Sequence, residues 1–191
     1  WSGGKYKKTL NYLSKTMVMT IPIIMGAAMF RTIAVLCGDG MLGIWPADSD
    51  IYNFFYNWIY NAGYYFLPVY LGWAAAKQLG CSQPLGMMLG GVLIAPEFMT
   101  LVNAAADSGA TTTMVYGVLP AQLNNYSSTV LPMVLSMPVL MVVEKFMKKI
   151  IPDMLSTVFV PVCTLAVMVP VSLCALAPIG SILGSVVGNF M

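Results

Sequence analysis

The chain of 191 residues contains no histidine. That absence removes the commonest metal ligand and the commonest general base at neutral pH. Charge is nearly as scarce, at 8% of residues against about 25% in a typical globular chain. So few charges do not cover the surface of a water-soluble protein of 20.6 kDa. The net charge of +2 is too small and too localised for nucleic-acid binding. The four cysteines, Cys37, Cys81, Cys163 and Cys174, form no CxxC and read as small apolar residues in helix interiors. No metal site and no cofactor is expected. Nor is a cleavable signal peptide, because the first sixteen residues are polar and basic and the apolar stretch after them outlasts a signal h-region. The alternating ten-residue segments of a membrane β-barrel are missing too.

What is abundant is apolar: 59% of residues, with a mean hydropathy of +0.80. A bilayer core of about 30 Å needs about 20 mostly apolar residues per helix. Five stretches qualify, at about 17–37, 51–76, 84–104, 127–143 and 155–176, and the Gly-spaced segment 179–191 reads as the start of a sixth. Lys5, Lys7, Lys8 and Lys15 precede the first stretch, Lys77 follows the second, and Lys145, Lys148 and Lys149 follow the fourth. The other connections hold Asp39, Asp48, Asp50 and Asp107 and no basic residue. Positive charge therefore falls on one face, which the positive-inside rule makes cytoplasmic. The chain reads as an all-α, polytopic membrane protein of about five transmembrane helices plus the start of a sixth, with its N-terminus in the cytoplasm.

Within these stretches, some polar and small residues carry a pattern. Arg31 lies 14 residues past Met17 and Glu97 lies 13 past Pro84, which places both at similar depth in the outer half of the membrane. They are expected either to form an ion pair between the first and third spans or to snorkel outward independently. Tyr52, Tyr56, Tyr60 and Tyr64 recur every four residues beside Asn53, Asn57 and Asn61. Aromatic faces and amides are what a sugar site needs, so Tyr56, Asn57, Tyr60 and Asn61 are candidate sugar contacts. An aromatic belt with interhelical hydrogen bonds is the alternative. Pro68 should kink or divide the second span, and Pro22, Pro96, Pro132, Pro138, Pro161 and Pro170 should interrupt others. Gly86 with Gly90, and Gly180 with Gly184 and Gly188, are spaced for close helix packing or assembly. The 144–153 segment reads as a short basic connection able to lie on the anionic leaflet or dock a soluble partner.

The order of these motifs resembles a known family. Thr20-Ile21-Pro22-Ile23-Ile24-Met25-Gly26, Phe66-Leu67-Pro68 and Ala74-Ala75-Ala76-Lys77-Gln78-Leu79-Gly80 form the first set. Tyr126-Ser127-Ser128-Thr129-Val130-Leu131-Pro132, the Glu144–Pro152 connection and Ala177-Pro178-Ile179-Gly180 follow. Together they resemble the membrane-embedded C component (EIIC) of enzyme II of the bacterial sugar phosphotransferase system, glucose–glucoside superfamily, closest to its β-glucoside, sucrose and trehalose branch. The resemblance covers the first half of that membrane domain. With 1–16 read from its lysines as a cytoplasmic segment, the resemblance implies that 17–191 is the scaffold and oligomerisation half of a homodimeric permease in the bacterial cytoplasmic (inner) membrane. The complete permease would import a glucoside-type sugar with coupled phosphorylation, working with its B and A components (EIIB and EIIA).

In the family, a Gly-Ile-Thr-Glu-Pro-type motif and a histidine in the later half serve the sugar, and a cysteine of the B domain passes on the phosphoryl group. This chain has none of these, so the resemblance assigns it no catalytic or sugar-binding residue. The rival expectation is a free-standing small membrane protein that binds and modulates full-length permeases. A small solute channel using the Tyr/Asn stripe is a third.

Overall fold

In a computed structural model the described residues are 2–109, 112–115, 119–122 and 131–172, with 174, 179, 182, 186 and 189 beyond them. Among the described residues, eight α-helices follow in order: α1 (Ser2–Cys37), α2 (Asp50–Asn53), α3 (Tyr60–Tyr65), α4 (Leu67–Leu79), α5 (Gln83–Leu93), α6 (Pro96–Ser108), α7 (Leu131–Ile150) and α8 (Asp153–Val171). A π-helical turn, Phe54–Ile59, joins α2 to α3. Every long element among the described residues is helical. A short antiparallel hairpin lies between α6 and α7: β1 (Thr112–Val115) pairs with β2 (Leu119–Gln122) with Thr112 opposite Gln122. The β-branched run Thr111-Thr112-Thr113 favours strand over helix there. Among the described residues, three segments are long and apolar enough to cross a membrane, Lys7–Cys37, Gln83–Ala104 and Asp153–Val171.

The helices begin and end where backbone chemistry requires. Gly80 ends α4 in the left-handed conformation, at φ 71°, which costs glycine little. Proline sits in the first turn of α4, α5 and α6, where its missing N–H costs nothing. Phe66, at φ −86° and ψ 14°, separates α3 from α4, so Pro68 does stand just past a divided span. At Ile94–Ala95 the third span divides too, and Pro96 opens its second piece. Pro22, Pro138, Pro161 and Pro170 depart from expectation, because each lies inside a continuous helix.

The reason is visible at Pro138. A proline has no N–H for the carbonyl four residues earlier, which here is that of Val134. The Tyr12 hydroxyl donates to that oxygen at 3.2 Å and makes good the lost bond.

Two further boundaries differ from the sequence reading. The polar residues before Met17 continue α1, whose 36 residues run about 54 Å, longer than the hydrocarbon core. The helix is therefore long enough to carry its basic first turns past the end of a bilayer-spanning stretch. Residues 144–150 are helix as well, and the connection itself is only Ile151-Pro152. Lys148 and Lys149 in the last turn of α7 suit the negative end of its dipole, and Pro152 stops it.

The core forms where α4, α5, α7 and α8 meet, around Leu71, Leu89, Leu93, Met133, Met137 and Met168. Methionine fills the irregular gaps between these helices. The outward faces are apolar: Val18, Met25 and Met29 on α1, and Met154, Val158 and Val162 on α8, are exposed. That distribution suits a lipid solvent.

Candidate functional site

Small residues bring α4 and α5 into backbone contact. Gly72 on α4 faces Gly86 on α5 across a three-residue turn. A methyl carbon placed on Gly72 would overlap the Gly86 carbonyl oxygen and stand 2.7 Å from Met133 Cε. One on Gly86 would stand 2.5 Å from the Gly72 carbonyl oxygen, and one on Gly90 would overlap the Pro68 carbonyl oxygen and stand 2.9 Å from Val69 Cα. The two backbones touch at three glycines, leaving a rigid hairpin against which α7 lays Met133 and Met137. Gly180, Gly184 and Gly188 lie outside the described residues.

At the end of this hairpin that carries Lys77, a polar lock joins α7. The Glu144 side chain is 2% exposed. Its carboxylate accepts from the Ser82 backbone N–H at 3.0 Å and from the Ser82 hydroxyl at 2.6 Å. The Lys148 ammonium, one turn on, completes the group at 2.6 Å. Burial alone would raise the carboxyl pKa, but the Lys148 charge and the two Ser82 bonds outweigh it and hold the pKa below the ordinary glutamate value. Beside the lock a cavity of about 360 Å³ is lined by Ser82, Lys148, Asp153, Ser156 and Thr157 among others.

The aromatic stripe sits near the other end of α1. The π-turn adds width where a four-residue repeat would drift around an α-helix. Tyr52 stacks on Tyr56 at 5.2 Å, and Tyr60 on Tyr64 at 4.5 Å. The Arg31 guanidinium carbon lies 4.3 Å from the Tyr56 ring centre and 4.2 Å from that of Tyr60, and its Nη2 donates to the Tyr56 hydroxyl at 2.8 Å. Of the two alternatives for Arg31 and Glu97, the ion pair is not formed: Arg31 is held by tyrosines, and Glu97 is exposed in the first turn of α6, where a negative charge suits the helix dipole. Asn57 and Asn61 are exposed, and the Asn57 amide donates to Asn53 Oδ1 at 3.1 Å. The structure thus brings Tyr56 and Tyr60 together with Arg31 and leaves the asparagines outside that group.

Comparison with known proteins gives the group its context. Over 98% of its length the chain aligns, at 34% identity, with the mannose-specific EIIBCA component of the phosphotransferase system (PTS) of Corynebacterium glutamicum. It is 25% identical over 98% of its length to the β-glucoside-specific EIIBCA component of Halalkalibacterium halodurans, and 30% identical over 77% to the trehalose-specific EIIBC component of Escherichia coli. The chain belongs to the PTS EIIC family, glucose–glucoside branch. It spans 28% of the first relative and 30% of the other two. No family model and no solved structure matches it.

For this EIIC chain, three important residues escaped the sequence reading. Gly72 was legible as the small partner of Gly86 only once Gly72 and Ala76 are set on one face, four residues apart. Ser82 looks like an ordinary turn residue, and its partner lies 62 positions away. Tyr12 precedes the first apolar stretch, and nothing local ties it to Pro138.

Proposed function

We propose that the chain is the N-terminal scaffold half of a sugar permease of the phosphotransferase system, in a bacterial cytoplasmic membrane. Residues 1–16 face the cytoplasm and 17–191 form the scaffold. Five spans cross the bilayer: α1, α3 with α4, α5 with α6, α7, and α8. The N-terminus, the Gly80–Ser82 turn and the Ile151-Pro152 turn are cytoplasmic. The observation carrying this reading is alignment over 98% of the chain with a phosphotransferase permease component. It favours a permease over a separate modulator protein.

In this reading the α4–α5 hairpin, pinned by glycine contacts and the Glu144 lock, is the fixed wall and homodimer support. The rest of the permease carries a glucoside-type sugar past it, and the B component, recharged by the A component, phosphorylates the sugar at the cytoplasmic face. Phosphorylation traps the sugar because the charged product does not recross the bilayer.

The test is uptake in cells lacking their own sugar permeases. The full-length protein should accumulate a phosphorylated sugar from a panel of glucose, mannose, sucrose, trehalose and an aryl β-glucoside, and only with phosphoenolpyruvate and the general phosphotransferase proteins present. Residues 1–191 alone should accumulate none. Accumulation of unmodified sugar by the full-length protein would contradict the proposal.

A further inference from the structure

We propose that Arg31 and the groove beside it bind the phosphate of an anionic phospholipid from the outer leaflet. The chain has seven acidic residues, Asp39, Asp48, Asp50, Glu97, Asp107, Glu144 and Asp153, and all are among the described residues. None forms an ion pair with Arg31, and the ion pair found among the described residues is Glu144–Lys148. A cation inside a span without a counter-charge is costly. The tyrosine rings at 4.2 and 4.3 Å offset part of that cost and fix the plane of the guanidinium. Arginine carries five N–H donors in a fork suited to phosphate. Even with the hydroxyls of both Tyr56 and Tyr60 engaged, donors are left for an anion.

The groove itself has the right form. It measures about 380 Å³ and is lined by Ala28, Arg31, Thr32, Val35, Tyr60 and Tyr64. It lies between α1 and α3, and the flanking residues Met29, Ile33 and Leu36 on α1 are exposed and apolar. A lipid reaches it along its own acyl chains, whereas a soluble anion would have to cross that apolar face. Arg31 is six residues, about 9 Å, from the end of α1. Trp58 and Phe54 nearby are 68% and 46% exposed, as aromatic residues are at headgroup depth. A neutral sugar would leave the charge uncompensated, so an anionic headgroup is the better occupant.

This inference rests on the proposed topology, in which the Arg31 end of α1 is the outer one. The test uses full-length protein in discs of phosphatidylcholine, with or without phosphatidylglycerol, reading the unfolding midpoint and the lipid retained on re-purification. Phosphatidylglycerol should raise the midpoint of the wild type. Arg31→Gln should abolish that rise and lower retained phosphatidylglycerol about fivefold, and Arg31→Lys should keep part of both. Should Arg31→Gln fail to fold, Ala28→Leu fills the groove with the charge in place and should lose the same preference. Equal retention by wild type and Ala28→Leu, or by wild type and a folded Arg31→Gln, would overturn the proposal. So would an equal rise with inorganic phosphate in phosphatidylcholine discs, which would point to a soluble anion. Both leaflets of a disc are alike, so this result is independent of orientation. Labelling Cys37 in intact cells with a membrane-impermeant maleimide reads the topology separately.

Discussion

Gly72→Leu is expected to lower stability by about 3 kcal/mol or more, and to cost most of the folded yield in mild detergent. A Cβ at this position meets the Gly86 backbone oxygen and Met133 Cε at once. The side chain can yield, but the backbone oxygen belongs to the facing helix, so α4 and α5 must move apart. Separation would also strip Leu89 and Met137 of their contacts. Gly26→Ala is the control, because a methyl there has nothing within 4 Å. In the middle of α1 it should be neutral or stabilising by up to about 1 kcal/mol. Thermal unfolding of both variants beside the wild type checks the pair. Equal midpoints for Gly72→Leu and Gly26→Ala would show that the glycine contact is not what holds the hairpin.

Glu144→Ala is expected to cost about 2–3 kcal/mol, since hydrogen bonds to a charged group contribute about 1.5–3 kcal/mol. It leaves the Ser82 N–H and hydroxyl without their acceptor. Lys148→Met should cost less than Glu144→Ala, because the lysine side chain is 56% exposed and both Ser82 donors still reach the carboxylate. The pH dependence has a definite sign. The folded carboxyl has a lower pKa than the ordinary glutamate value of 4.5, so it binds protons less readily than the unfolded chain does. Its contribution is then full above about pH 4.5 and is lost as pH falls through the folded value. Wild type should lose more stability than Glu144→Gln on acidification below that value. Parallel losses would mean the carboxylate is not the group that titrates.

The membrane class and most helix positions were legible because they depend on local composition. Apolar length, lysine placement and proline or glycine at helix ends are read residue by residue, and α5 taken with α6, and the start of α8, fall close to the expected stretches. The misses share a different cause. Whether an internal proline breaks a helix depends on a partner for the freed carbonyl, and Tyr12 lies 122 positions from the Val134 oxygen it serves. Residue counting gives Arg31 and Glu97 a similar depth, but depth does not say which neighbour lies across the interface. The tyrosines of the adjoining span reach the guanidinium first, and the stripe that suggested a sugar site spends two of its rings on that cation. The π-turn that aligns those rings has no signature in residue spacing. The Gly86-Gly90 spacing marked a small face on α5, and only the structure identifies Gly72, Pro68 and Val69 as what that face meets.

The central claim is that this chain is half of a larger permease, and the intact mass of the native protein tests it most directly. The polypeptide would be captured from its own membrane with an antibody against the 38–49 loop and weighed by mass spectrometry. A single polypeptide of at least about twice 20.6 kDa is expected. A native mass of 20.6 kDa would contradict it, because the chain would then stand alone without the half that carries sugar.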